Sequence, residues 1–423
     1  MIRIVPELVS VLRAGRMSAD ELRDLQESKL RAIVKHASQN VVYYRSLFGD
    51  SGLHPEDVRT IDDLQHVPIT TKADLKSAGL SSIIDQRVDP TSRRSWRTSG
   101  TTGDQFDLYG SNGELMVRAL VTFRSYRAIG FGPGDRLCHL GPGLPHMNWW
   151  AGPYKNKTIS TLRPLDEQIQ ELRAARPTIL RAWPTVLRTL LHRIDYRLSD
   201  IARPRALITS AEVFEPSLRR RVEADLPDTE IFNYWAAMEF GEIACECPAH
   251  EGLHVQADQV ILESLRDDGR PCAAGEPGSA VITGLSNYTM PLIRYRLGDI
   301  FNTLDRPCAC GSVLPLISAP KGRHEDMVRL PSGQLRSALG LGTVVDEFDE
   351  VDQYRFIQEN RDHLVVQLKL FREPEGGALA RFRAGLMEYL GEPMRLDIHV
   401  VDAIPEDKLK FRKFVSKLAD ADR

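Results

Sequence analysis

Cysteine is scarce in this chain, with 6 in 423 residues, which excludes a disulfide-stapled scaffold. An excess of one charge is missing too. The formal net charge is −3, which gives no electrostatic reason to expect nucleic acid. No apolar run is long enough to span a bilayer, and there is no internal repeat or low-complexity segment. The stretch "MIRIVPELVSVLRAGRM" carries Pro6 and Glu7 inside its apolar part. It makes a poor secretory signal and reads as an amphipathic helix on a domain surface. The expectation is a cytoplasmic protein with neither a membrane nor a nucleic-acid partner.

What is present is ordinary globular material, 42% hydrophobic and 27% charged, long enough for two or three domains. Residues 18–50 read as helical, with Ser18 as a cap. Between about 110 and 205, strand-like runs ("DRLCHLG", "PTILRAWP") alternate with helical ones ("DEQIQELRAAR", "TVLRTLLHRIDYRL"). "RALITSAEVF", the helix "PSLRRRVEADL" and "TEIFNYW" continue the alternation, which predicts α/β layering around a largely parallel sheet. Residues 253–305 are strand-rich with Gly, Pro and Asn turns, which predicts a small β-subdomain. A Pro-, Gly- and charge-rich break covers 319–334. After it, "QYRFIQENRDHLVVQLKLF" reads as a hairpin, "ALARFRAGLMEYL" as a helix and "RLDIHVVDA" as a strand, together a compact α+β unit. The expected architecture is a large N-terminal body, 1–323, and a small lid, 324–423, with a ligand cleft between them.

"RTSGTTGDQFDLYG", residues 97–110, packs Thr98, Ser99, Thr101 and Thr102 around Gly100 and Gly103, and occurs once. Glycine lets backbone N–H groups converge and the hydroxyls add neutral donors, which is what a phosphate-wrapping loop needs. The cysteines are unevenly spread. Cys138 and Cys272 stand alone, Cys245 and Cys247 form one pair, and Cys308 and Cys310 another. With His254, three of the paired thiols could close a tetrahedral Zn²⁺ site of structural type.

These stretches resemble the phenylacetate–coenzyme A ligase branch of the adenylate-forming enzymes, the superfamily of acyl-CoA synthetases, adenylation domains and luciferases. "PITTKADL", "RTSGTTG", "SAE" (210–212), "NYWAAMEFGEIACECPAHEGLHV" (233–255), "MPLIRYRLGD" (290–299), "CACG" (308–311) and "KGRHED" (321–326) follow in that family's order. The resemblance implies an α/β adenylation body with a mobile lid. It also implies a reaction in which a carboxylic acid and ATP form acyl-AMP, and coenzyme A then takes the acyl group. The implied alternatives are transfer to an amine or a carrier-protein thiol, and a non-catalytic nucleotide-binding relative. A homodimer is the candidate assembly.

Residue by residue, the resemblance gives Thr98, Ser99, Gly100, Thr101, Thr102 and Gly103 the β- and γ-phosphates of ATP. Asp104 and Gln105 stand where many relatives have proline and lysine, so a basic phosphate contact is missing locally. Glu239 would hold Mg²⁺. Ser210, Ala211 and Glu212 would line one side of the adenine, with Asn233 close by and Trp235 stacked on it. Trp235-Ala236 replaces the usual Tyr-Gly, and Met238 replaces a common hydroxyl. Asp299 and Arg323 would bind ribose. Glu325 is the implied hinge, and Lys410 the lid lysine that bridges carboxylate and α-phosphate, with Lys408 and Lys413 as neighbours and Leu409 in place of a glycine. Cys247, His254, Cys308 and Cys310 are the implied Zn²⁺ ligands, with Cys245 as the alternative. His146, Trp149 and Trp150 would wall the pocket for an aryl or otherwise hydrophobic acid, or simply pack in the core.

Overall fold

The computed structural model describes residues 4–98, 105–141, 154–214, 216–266, 268–323, 327–345, 347–348, 350–370, 372–374, 376–405 and 412–418. Among these, no helix is long and apolar enough to cross a membrane.

The body is organised by an eleven-stranded sheet. Its parallel half runs, in spatial order, through Lys155–Ser160, Arg136–Gly141, Ile179–Ala182, Ala206–Ser210 and Glu230–Ala237. Neighbouring residues on these strands point to opposite faces, and Arg136–Gly141, Ile179–Ala182 and Ala206–Ser210 are buried at both, unlike the polar edge strand Lys155–Ser160. Cys138, Leu140, Leu180, Leu207 and Ile231 pack beneath Leu165–Ala175, Pro184–Arg193 and Pro216–Asp225. Leu137, Ile179, Ile208 and Phe232 pack on the other face with Tyr126, Ile129 and Phe131 at and beyond the end of helix Asn112–Ala128.

The stretch from 253 to 304 is strand-rich as expected, and its strands extend this same sheet. Gly241–Glu246 pairs antiparallel with Glu230–Ala237. The sheet then runs through Leu253–Val255, Leu316–Ile317, Tyr295–Leu304, Pro277–Gly284 and Val260–Leu265. Leu316–Ile317 is the two-residue link that joins the two halves.

Ser18 caps a helix through a reciprocal pair with Glu21, as expected. That helix covers Ala19–Asn40 only, and a second one runs Val42–Ser51. Val41 and Tyr44, both fully buried, fall in a β-branched and aromatic run of low helix propensity, where the chain turns extended.

Residues beyond 326 build a separate four-stranded sheet in the order Arg395–Val400, His363–Leu370, Val351–Asn360, Phe414–Ser416. The expected hairpin, helix Ala378–Leu390 and following strand are all there. This unit has its own apolar core, including Leu341, Phe356, Val366, Phe382, Leu386 and Phe414. Among the described residues, that core takes all its members from this unit.

Candidate active site

In open sheets of this kind ligands bind outside the carboxyl ends of the parallel strands. Ser210 ends one parallel strand, Trp235 and Glu239 lie on and just beyond the end of its neighbour, and Asp299 and Arg323 are joined to Trp235. The segment "PITT" adds itself to the sheet, with Thr70 bridged to Tyr295 and bonded to the backbone of Arg294 and Arg296. Thr71 then caps a short helix, Lys72–Ala78, in a reciprocal pair with Asp74.

Asp299 is presented by an irregularity in the sheet. Ser279 pairs with Ile300 but Val281 pairs with Arg296, so three residues, 297–299, bulge opposite one. Gly298, at φ +87°, takes the left-handed conformation this requires. The carboxylate accepts the indole N–H of Trp235 at 2.7 Å on Oδ2 and faces Arg323 Nε at 3.2 Å on Oδ1. Both partners come from the body, and Arg323 also bridges Asp299 through its backbone. Trp235 is 5% exposed and packs on Phe301 at 5.5 Å between ring centroids. Its N–H edge is thereby fixed on the Asp299 carboxylate.

Glu239 lies on the turn between two antiparallel strands. The carbonyls of Met238 and Glu239 accept from the Arg118 guanidinium, and Trp96 donates to the Met238 carbonyl at 2.9 Å. Arg118 sits over the Trp96 ring at 4.8 Å, and burial pushes it down to about 10 despite nearby Glu114 and Glu239. Burial is also the largest influence on the Glu239 carboxyl and pushes it above its usual range. Arg323 and Lys72 oppose that shift, and Asp299 adds to it. Tyr295 Oη stands 3.4 Å from Glu239 Oε1. A half-buried carboxylate in this setting is stabilised by a cation, and Mg²⁺ suits a hard oxygen ligand.

Lys72 is a residue that the sequence reading passed over. It stands near enough to Glu239 to affect its charge, and it belongs to the quoted "PITTKADL". The sequence signal was present, a lysine immediately after a helix cap, but nothing local ties it to a site far along the chain.

Thr98 is buried and works at the base of the glycine- and hydroxyl-rich loop. Its N–H donates to the Phe106 carbonyl, and its Oγ1 accepts the Phe106 N–H, both at 3.0 Å. Ser99, Gly100, Thr101, Thr102, Gly103, His146, Trp149, Trp150, Glu325 and Lys410 lie outside the described residues.

Ser210 ends its strand and accepts from Arg181 Nε and Nη2 at 3.3 and 3.2 Å. Ala211 follows at φ +71°, a strained conformation for a residue with a Cβ. The Glu212 carboxylate accepts the Thr185 N–H at 2.8 Å and the Thr185 hydroxyl at 2.5 Å, so it caps the helix Pro184–Arg193. Asn233 is half-buried, and its N–H donates to Glu246 Oε2 at 2.8 Å.

Beneath these strand ends lies a buried polar layer. Arg181 donates to Tyr126 Oη at 2.5 Å, and Gln256 donates to Ser125, Glu242 and Cys245 at 3.0, 3.3 and 3.3 Å. Burial pushes the Glu242 carboxyl up to about 7, against the pull of Ser125, Arg181 and Arg124.

Elsewhere in the body, Cys247, His254, Cys308 and Cys310 converge, with all ligand atoms within 4.8 Å of one another. Cys247 and Cys308 sulfurs are 3.6 Å apart, and Cys310 Sγ is 3.3 Å from His254 Nε2. These are close to the edges of a tetrahedron built on Zn–S of about 2.3 Å and Zn–N of about 2.0 Å. His254 Nδ1 faces the Leu314 carbonyl at 3.1 Å, which fixes the ring as second partners of metal-bound imidazoles do. Cys245, the alternative ligand, is not in this cluster, because its sulfur is engaged by Gln256.

No family model matches the chain. It is 29% identical over 326 residues to the phenylacetate–coenzyme A ligase of Escherichia coli, covering 74% of this chain and 73% of that enzyme. It is 28% identical over 342 residues to the enzyme of the same name from Thermus thermophilus, covering 76% and 74%. In fold, 2-hydroxyisobutyryl-CoA ligase in its postadenylation state matches with a TM-score of 0.81 at 16% identity, covering 96% of this chain and 92% of that one. The same ligase gives 0.69 in an open conformation and 0.67 in the thioesterification state, again over 96% of this chain.

Proposed function

On a chain that is similar in sequence to the phenylacetate–coenzyme A ligases and folded as an adenylate-forming ligase, we propose ATP-dependent activation of a carboxylic acid followed by transfer to coenzyme A. The acid's carboxylate attacks the α-phosphorus. A carboxylate oxygen bonds to that phosphorus to give a mixed acyl–phosphate anhydride, the bond from the α-phosphorus to the bridging β-phosphate oxygen breaks, and pyrophosphate leaves. The coenzyme A thiolate then attacks the acyl carbonyl, a thioester forms and AMP departs. Both steps join groups that carry or develop negative charge, so positioning and charge neutralisation carry the catalysis.

The observation that carries this reading is Asp299, bulged out of the sheet and held between Trp235 and Arg323 beside Glu239. Asp299 accepts the ribose hydroxyls, with Arg323 as a second donor. Glu239 holds Mg²⁺, which neutralises phosphate charge when bound. Lys72 supplies the cation that the loop lacks at 104–105. The loop Thr98–Gly103 wraps the outer phosphates. The lid begins at the hinge near Glu325 and brings Lys410 to the carboxylate and α-phosphate. His146, Trp149 and Trp150 wall the pocket of an aryl or hydrophobic acid. Cys247, His254, Cys308 and Cys310 bind a structural Zn²⁺.

The lid pose corresponds to the stage after adenylation and before thioester formation. The support is that one ligase, compared over the same share of this chain, matches best in its postadenylation state. The test is acid-dependent exchange of pyrophosphate into ATP. Lys410→Ala is expected to abolish exchange while thioester formation from supplied acyl-AMP continues. Normal exchange in that variant would remove Lys410 from the mechanism.

A further inference from the structure

The lid touches the body through a polar contact whose two sides are prepared separately. On the body, His192 lies in the last turn of helix Pro184–Arg193. Its Nδ1 is 2.9 Å from Tyr196 Oη, and Arg221 covers the Tyr196 ring at 4.4 Å. Tyr196 thus orients the imidazole from the body's side. On the lid, Asp352 is the extra residue of a second sheet irregularity, because Val351 pairs with Leu370 and Gln353 with Lys369. A bulge re-aims the side chain it carries, and this one turns the carboxylate towards the body. Asp352 Oδ2 is 2.5 Å from Lys369 Nζ on the neighbouring lid strand, and Oδ1 is 3.0 Å from His192 Nε2.

We propose that His192, Asp352 and Lys369 form a latch that positions the lid for adenylation and opens before thioester formation. The proposal rests on the ligase reading above and on the lid pose assigned there. The Asp352 and His192 side chains are 12% and 18% exposed, so this is not a solvent-screened surface pair. Burial raises the Asp352 carboxyl, and hydrogen bonds from His192 and Lys369 outweigh it and hold the group below the usual carboxylate range. Among the described residues, the lid's apolar core is its own, as expected of a unit that moves as a body. His192 stays with the body and Asp352 travels with the lid, so rotation to another pose separates them. Lys369 travels too and keeps the freed carboxylate paired.

The experiment measures the two half-reactions apart in the full-length enzyme: pyrophosphate exchange for adenylation, and thioester formation from supplied acyl-AMP and coenzyme A. Asp352→Asn and His192→Gln are each expected to slow adenylation about fivefold to tenfold. Thioester formation should be unchanged or faster, and the double variant should be no worse than either single one. Equal slowing of both half-reactions, or unchanged adenylation, would overturn the latch. Small-angle scattering of the nucleotide-free protein reads the pose without turnover. The Asp352→Asn profile is expected to move towards a more open shape, and a profile identical to wild type overturns the proposal. Wild-type protein without any acid-dependent exchange would refute the ligase reading alone, and the scattering comparison would still decide the latch.

Discussion

Two aspartates in this molecule are presented in the same way and end up with different jobs. Asp299 and Asp352 each sit in a sheet irregularity that turns a carboxylate out of the ladder, and each is held by two partners. Asp299 finds both partners, Trp235 and Arg323, within the body. Asp352 finds Lys369 on its own lid and His192 on the body. A contact with both ends on one rigid unit is fixed and builds a site. A contact with its ends on two units is conditional and sets a pose. The bulge supplies the aim in both cases, and the partner's address decides what the aim accomplishes.

Breaking the fixed contacts should therefore cost affinity or stability, whereas breaking the conditional one should change only the balance of two steps. The largest effect is expected from Asp299→Ala. It removes the proposed ribose acceptor and leaves Arg323 and the Trp235 N–H without their shared partner, so adenylation should fall at least about a hundredfold. Steady-state pyrophosphate exchange checks this, and a loss under tenfold would take Asp299 out of the site.

The second effect concerns the sulfur cluster. One Zn²⁺ per chain is expected by elemental analysis, and Cys308→Ser should lose it and lower the midpoint of chemical unfolding. A metal-free wild-type protein with unchanged stability in the variant would contradict the assignment.

The third concerns Glu242. Its folded-state carboxyl is raised to about 7, from an ordinary value of 4.5, chiefly by burial. The folded state therefore holds the proton more tightly than the unfolded one. This contribution to stability is complete below about pH 4.5 and is lost as pH rises through about 7. Glu242→Gln should flatten the pH dependence of stability between pH 5 and 7.5, an effect of up to about 3 kcal/mol. An unchanged slope would show that Glu242 is not the titrating group. The smallest effect is that of Asp352→Asn, which should leave the unfolding midpoint nearly unchanged and show only in the ratio of the half-reactions.

Much of this was readable along the chain, and the parts that were not share a cause. The lid helix Ala378–Leu390 coincides with its apolar periodicity, and Ser18 announced a helix cap, because both signals lie within a few residues. The cysteines and His254 converge as the resemblance implied. Glu212 could not be assigned in advance, because a carboxylate that caps a helix and one that faces a ligand look alike until Thr185 is placed beside it. Trp235 carried an aromatic label in the motif, but its burial depends on Phe301, which comes from a strand far along the chain. The continuity of the body sheet hangs on the two-residue strand Leu316–Ile317, too short to leave a periodic signal. His192 and Asp352 are single residues with nothing unusual around either, and only the docking of lid on body joins them.

The measurement that tests the central claim most directly is pyrophosphate exchange with ATP, Mg²⁺ and a panel of aryl and aliphatic acids, with and without coenzyme A and with products identified by mass. The account predicts exchange that depends on one class of acid, and a thioester as product once coenzyme A is present. Exchange with none of the acids, or acyl-AMP that coenzyme A does not consume, would contradict it.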